Sequence, residues 1–218
     1  MISICIPTLR PGNQLLQQIK DIDNSLLGGD YEIIIQSENQ SAALNRNAAL
    51  QKSKGEYVVM IDDDITRFPK NWAFDLIEPL KKDNYLKVVS ARLMTKNLTP
   101  GTMISYAGSI TQCTDDLWIN PNFILPSACI VFSRNTWEAV RTDPTVPRNI
   151  PFDVNYKKAV AEDADFIMAV CTTFPGCKTG VYKKVEVVHL NNEVWRTPDF
   201  RWEDNHEYFK KKWNRNPF

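Results

Sequence analysis

The sequence has no surplus of charge of either sign: Lys plus Arg and Asp plus Glu each total 26 in 218 residues. A nucleic-acid surface carries an excess of basic groups, so this balance argues against a nucleic-acid partner. Nor is there an apolar run long enough to span a bilayer. The opening Met1-Ile2-Ser3-Ile4-Cys5-Ile6 lacks the basic start of a signal peptide. A cytoplasmic protein with no transmembrane segment is expected. Cysteine is scarce, at five residues without a C-x-x-C pair, which speaks for reduced thiols rather than a disulfide frame or zinc knuckle. With no secretory route, the sequons Asn39-Gln40-Ser41 and Asn97-Leu98-Thr99 read as chance. Linkers, repeats and low-complexity tracts are missing too, so a single domain over 1–218 is expected. Hydrophobic residues at 43% and charged residues at 24% describe an ordinary globular chain.

The order of elements carries the fold class. Ile2 to Ile6 reads as an apolar strand stopped at Pro7, with Thr8-Leu9-Arg10-Pro11-Gly12 as the loop beyond it. Leu15, Leu16, Ile19, Ile22 and Leu26 recur at helical spacing, and Gly28-Gly29 supplies a stop. Tyr31 to Ile35 is a second strand, ending in Gln36-Ser37-Glu38-Asn39-Gln40. Ser41 can cap a helix that places Ala42, Ala43, Leu44, Ala48, Ala49 and Leu50 on one side and Asn45-Arg46-Asn47 elsewhere. Tyr57 to Ile61 follows as a third strand. This β-α-β-α-β run is the signature of a parallel, doubly wound sheet.

Farther on, a helix is expected from Pro69 toward Lys82, shortened or kinked at Pro79. A strand follows at Lys87 to Ala91, then short β-prone pieces to about Asn122, a strand at Ile124 to Phe132 and a short helix at Asn135 to Val140. A proline-rich loop leads to Phe152-Asp153. Glu162-Asp163-Ala164-Asp165 opens a helix, where acids suit the dipole or simply cap the end. Val181 to Val188 is a late strand ending at His189, and Trp202 to Trp213 closes the chain as an amphipathic helix. His206 and Lys210-Lys211-Lys212 read as solvated helix surface.

The chemistry centres on Tyr57-Val58-Val59-Met60-Ile61-Asp62-Asp63-Asp64, where a buried strand runs straight into three carboxylates. Adjacent like charges raise one another's pKa, so such a run suits a cation or a donor-rich ligand. Oxygen ligands favour Mg²⁺ or Mn²⁺, the usual partners of a pyrophosphate. A solvated turn is the plainer alternative.

Taken together, Ile4-Cys5-Ile6-Pro7-Thr8, Asn45-Arg46-Asn47, Gly55-Glu56-Tyr57, Asp62-Asp63-Asp64, Phe152-Asp153, Glu162-Asp163-Ala164-Asp165 and Val188-His189-Leu190 resemble an inverting family 2 glycosyltransferase with the GT-A fold, over most of the chain and in that family's order. The resemblance implies a Rossmann-like, mostly parallel central sheet flanked by helices, with a smaller antiparallel β element in the C-terminal half. About residues 1–95 would bind nucleotide and metal, and about 96–218 the acceptor. It implies a nucleotide-sugar donor, with uridine favoured, a glycan or glycoconjugate acceptor, and Mn²⁺ or Mg²⁺ as cofactor. Asp64 would be a metal ligand, Asp62 a ribose or metal contact, Asp63 a helper at the donor, and Asp163 the base. His189 would complete the metal site and tilt it toward Mn²⁺; a structural histidine at a strand end is the alternative.

Pro7, Thr8 and Arg10 in the first loop and Arg46 on the second helix are candidate nucleotide contacts, since a guanidinium can pair with phosphate or stack on a base. Arg46 could equally buttress acidic neighbours. Many relatives carry an aspartate where the second strand ends, but here Gln36-Ser37-Glu38 stands, and Glu38 or Ser37 is the substitute. Glu162 and Trp195 are expected beside the acceptor, with Trp118 and Trp202 as further sugar platforms or as ordinary packed aromatics. Two rival readings remain. Asp62-Asp63-Asp64-Ile65-Thr66 fits the D-x-D-x-T motif of haloacid-dehalogenase-like phosphatases, with Asp62 as nucleophile, although two β-α units precede it here. A sugar-nucleotide binding module without turnover is the other. The compact chain is also consistent with a virus-encoded enzyme or a catalytic unit of a longer multidomain protein.

Overall fold

The computed structural model describes residues 1–9, 11–38, 41–98, 103–104, 110–111, 117–120, 125, 127–146, 151–190 and 201–214. The first half follows the expected alternation: β1 (Ile2–Pro7), α1 (Asn13–Ser25), β2 (Tyr31–Gln36), α2 (Ala42–Lys52), β3 (Tyr57–Ile61), β4 (Ile65–Thr66), α3 (Trp72–Lys82) and β5 (Leu86–Met94). Then come β6 (Met103–Ile104), β7 (Ile110–Thr111), β8 (Leu117–Asn120), β9 (Cys129–Ser133), α4 (Arg134–Thr142), α5 (Glu162–Thr173), β10 (Lys178–His189) and α6 (Trp202–Trp213). The main sheet runs β2-β1-β3-β9-β5-β10-β4, with β8 also paired to β10. Strands β2, β1, β3, β5 and β10 point one way, and β9, β4 and β8 run against them. A separate antiparallel pair, β6 with β7, is the small β element expected in the second half.

Period-two side-chain alternation gives this sheet two buried faces. On one face Ile2, Ile4 and Ile6 of β1 and Val59 and Ile61 of β3 pack against Leu15 and Ile22 of α1 and Trp72, Leu76 and Leu80 of α3. On the other, Cys5, Val58 and Met60 meet Ala49 and Leu50 of α2, Trp137 of α4 and Phe166 and Val170 of α5. The result is a helix-sheet-helix sandwich whose parallel strands end side by side. Because Cys5 pairs with Met60 in register, Thr8 and the acids after Ile61 emerge at the same edge.

Several boundaries differ from expectation. Helix α3 starts at Trp72 rather than Pro69, because Asn71 sits in the left-handed region at φ 57°. Asn71 is fixed there by its N–H to Ser25 O at 2.8 Å and by its side-chain oxygen, which accepts from Leu27 N at 3.2 Å. The helix passes through Pro79 and runs to Lys82. Strand β9 covers Cys129–Ser133 after a turn at Ser127-Ala128, and the expected start at Ile124 lies outside the described residues. Lys210 and Lys211 are exposed as expected, but Lys212 is not a solvated residue: its side chain is 8% exposed and paired with Asp153 and Asp165. His206 is half-buried rather than on the surface. Cys5, Cys129, Cys171 and Cys177 are all free thiols.

Candidate active site

At the carboxyl end of β3 the chain turns sharply. Asp62 N–H donates to Ala128 O at 2.8 Å, and Ile65 N–H returns to Asp62 O at 3.4 Å, starting β4. That two-residue strand pairs antiparallel with the end of β10, placing His189 opposite Ile65. In consequence His189 Nε2 lies 3.1 Å from Asp64 Oδ1, and Leu190 N–H donates to Asp64 O at 3.1 Å. Asp62, Asp64 and His189 each offer one ligand atom, and the three atoms lie within 4.8 Å of one another. Two hard carboxylate oxygens and one imidazole nitrogen suit Mn²⁺ or a similar ion.

The field at this cluster is that of crowded acids. Burial pushes the Asp62 carboxyl up to about 6; Arg46 and His189 pull against that, while Asp64 and Asp163 reinforce it. Asp63 is also raised by burial, against the opposing hydrogen bond from Thr8. Burial alone would lower His189, but the hydrogen bond and charge of Asp64, together with Asp62, outweigh it and raise the imidazole. A bound cation would relieve both acids at once.

Thr8 is the link from the first loop. Its hydroxyl donates to Asp63 Oδ2, its N–H to Gln36 O at 2.9 Å, and its carbonyl accepts from Asn45 Nδ2 at 3.0 Å. Pro7 ends β1 as a buried residue. Glu38 is 78% exposed and pairs with Lys52 at 3.7 Å, away from these bonds. Arg10 and Trp195 fall outside the described residues, as do the side chains of Trp118 and Trp202.

Asn45-Arg46-Asn47 forms one brace of three directions. Asn45 holds the Thr8 carbonyl; Asn47 exchanges hydrogen bonds with both backbone groups of Phe152, at 2.7 and 3.0 Å. Arg46 is 4% exposed. Its Nη2 lies 2.9 Å from Asp62 Oδ1, its Nε 3.5 Å from Glu162 Oε1, and its guanidinium sits 5.5 Å from the Phe152 ring centre. These contacts tie Arg46 to both acidic motifs. Three successive helical positions point about 100° apart, so burying all three requires neighbours around more than half of α2, and Leu44 and Gln51 lie on the side left exposed.

The acids opening α5 divide as helical geometry demands. Glu162 and Asp165 are buried at 2% and 0%, and Asp163 is partly exposed. Burial and then the neighbouring Asp163 push Glu162 up to about 8, despite Arg46, so it is mostly neutral at pH 7. Asp163 Oδ2 accepts from the hydroxyl of Ser127, while its Oδ1 accepts from Ala164 N at 2.7 Å. Ser127 is itself 4% exposed.

Two participants were not singled out from the sequence. Ser127 adjoins Ala128, the carbonyl that receives Asp62 N–H, so one turn touches both acidic motifs. Gln18 donates to Asp62 O at 2.7 Å and is 1% exposed. The signal for Gln18 was its position on the Leu15–Ile22 stripe, where a polar residue interrupts an otherwise apolar helix face.

The family model for Glycosyl transferase family 2 matches residues 12–136, more than half of the chain. No curated protein sequence matches it. Among solved structures, a crystal structure of GalNAc-T7 with UDP, GalNAc and Mn²⁺ is similar, with a TM-score of 0.69 at 10% identity. The match covers 97% of this chain and 48% of that one, so the present chain spans about half its length. At this identity the likeness is one of fold, the GT-A fold. Among the described residues no helix is long and apolar enough to cross a membrane.

Proposed function

This chain belongs to glycosyl transferase family 2, and from that membership we propose that it transfers a sugar from a nucleotide-sugar donor to a hydroxyl of a glycan or glycoconjugate, with inversion at the anomeric carbon. The observation that carries the reading is the meeting of Asp62, Asp64 and His189 at one sheet edge, with a separate carboxylate, Asp163, held by Ser127. A uridine diphosphate sugar and Mn²⁺ are the favoured donor and cofactor, by likeness to a protein solved with UDP, GalNAc and Mn²⁺.

Asp64, Asp62 and His189 would hold the divalent ion, whose chemistry is to stabilise negative charge growing on the leaving diphosphate. Pro7, Thr8 and Asp63 form the donor side, with Arg10 and Glu38 as further nucleotide contacts. Arg46 fixes Asp62 from behind. Asp163 accepts the proton of the acceptor hydroxyl while that hydroxyl's oxygen bonds to the anomeric carbon and the bond from that carbon to diphosphate breaks. A positioned base of this kind contributes roughly 10²–10⁴-fold. Glu162 and Trp195 stand on the acceptor side, within a C-terminal half devoted to the acceptor.

As a phosphatase nucleophile, Asp62 would have to attack phosphorus through one carboxylate oxygen. One oxygen, Oδ1, is bonded to Arg46, which does not decide the matter; family membership is what favours glycosyl transfer. The test is turnover of a panel of nucleotide sugars with Mn²⁺, followed by proton NMR of the new anomeric centre. Inverted product from the wild type, and at least about 10²-fold slower turnover in Asp163→Asn, supports the proposal. Retained configuration, or Asp163→Asn at normal rate, overturns it.

A further inference from the structure

The segment leading into α5 is held in an unusual shape. Lys158, Val160 and Ala161 have φ of 53°, 80° and 72°, three non-glycine residues in the left-handed region within four positions. For β-branched Val160 this is a genuine outlier, and such strain persists only where surrounding contacts over-determine it. Ala161 is the residue that starts α5, and it offers no side-chain cap. The next two residues are Glu162 and Asp163.

The contacts that impose this shape come largely from α6. Asn205, 2% exposed, accepts from Lys157 N at 3.1 Å through its side-chain oxygen. Its amide nitrogen donates to Lys157 O at 2.9 Å, Ala159 O at 2.9 Å and Val160 O at 3.1 Å. About two turns farther along, Lys212 pairs with Asp153 and lies 3.0 Å from Asp165. Asp165 also accepts from Trp213 Nε1 at 2.6 Å and Tyr156 Oη at 3.1 Å, and Tyr208 Oη donates to Asp153 at 2.9 Å. Phe209, fully buried, packs with Tyr156, Ala161 and Ala164 beneath these bonds. From the other side, Ala42 N–H at the head of α2 donates to Lys158 O at 2.5 Å.

We propose that Asn205 is a positioning residue for transfer: it clamps 157–161, while Lys212 ties Asp153 and Asp165 on either side, in the strained form that sets the angle at which α5 presents Asp163. The proposal rests on the reading of Asp163 as the base. The physical logic is that a segment with three left-handed residues relaxes when its bonds are removed, and relaxation there rotates the first turn of α5. The donor edge, made from β1, β3 and the end of β10, is anchored by other bonds and stays in place. Asn205 thus acts on the acceptor step and not on nucleotide binding.

Asn205→Asp keeps the side chain's shape but turns its donor end into an acceptor facing three carbonyls. Val160→Gly removes the Cβ penalty at positive φ. The test measures three properties of the full chain: hydrogen exchange by mass spectrometry, affinity for UDP with Mn²⁺ by calorimetry, and kcat on one nucleotide sugar and acceptor. In Asn205→Asp the account expects faster exchange across 158–165 only, unchanged UDP affinity, and kcat lower by at least about tenfold, or roughly 1.4 kcal/mol in the barrier. Adding Val160→Gly restores most of that kcat, because glycine takes the left-handed form without being forced. Unchanged exchange at 158–165, unchanged kcat, a parallel loss of UDP affinity, or no rescue by Val160→Gly would each overturn the proposal. Asp163→Asn is measured alongside. Should it turn over normally while Asn205→Asp still loosens 158–165, the base assignment has failed and the positioning role falls with it, whereas the clamp itself stands.

Discussion

Arg46 Nη2 and Asp62 Oδ1 meet at 2.9 Å beneath the acidic turn, with the arginine side chain 5% exposed and the aspartate 29%. The same guanidinium reaches Glu162 at 3.5 Å, so one cation serves both acidic motifs. Removing it leaves the Asp62 carboxylate without its counter-charge, a loss that typically costs about 3–5 kcal/mol for a buried pair and lies at the low end here because Asp62 is partly wet. Arg46→Met is therefore expected to lose about 3 kcal/mol in urea unfolding without metal. Arg46→Lys keeps the charge but lacks the fork that spans both partners, and should fall in between. A loss below about 1 kcal/mol in Arg46→Met would remove the buttress role.

Glu162 gives a pH dependence with a definite sign. Its folded-state pKa is pushed up to about 8 from an ordinary 4.5, by burial first and Asp163 second. The folded protein thus binds a proton that the unfolded chain releases, and the stability this group contributes is full below 4.5 and lost as pH rises toward 8. Glu162→Gln mimics the protonated form and cannot ionise. Urea midpoints of the two proteins should lie closest near pH 5 and separate as pH approaches 8, with Glu162→Gln the more stable. A constant difference across that window would show that Glu162 does not titrate there.

Ser127 makes one directed bond to Asp163. Ser127→Ala removes it and leaves Asp163 held through Ala164 N alone, without removing any side chain of the donor edge. The expectation is a drop in kcat of about tenfold, at the low end of the roughly 1.5–3 kcal/mol that a hydrogen bond to a charged group contributes. UDP affinity should be unchanged. Loss of UDP binding in this variant would place Ser127 on the wrong side of the site.

What could be read in the sequence was what rests on local patterns. The apolar runs of β1 and β3, the stripe of α1 and the acids after Ile61 are local signals, and the strands, helix and acidic turn stand where they predict. What escaped depends on residues far apart in the chain. Strand β4 is two residues long and exists because the end of β10 pairs with it, some 120 positions later. Lys212 looked like one of three solvated lysines, and only the folding of α6 onto 153–165 reveals its two buried acids. The start of α3 moved because Asn71 bonds backwards to the end of α1. Arg46 carried two readings in the sequence, since the choice between ligand and buttress turns on whether its guanidinium is open or enclosed.

Asp64, with Asp62 and His189, is proposed to bind a divalent ion through which nucleoside diphosphate is held. Calorimetric titration of UDP into the wild type and Asp64→Asn, each with and without Mn²⁺, tests it directly. Binding to the wild type should require Mn²⁺ and be abolished in Asp64→Asn. Equal UDP affinity in the two proteins with Mn²⁺ present, or binding to the wild type that is indifferent to the ion, would contradict it.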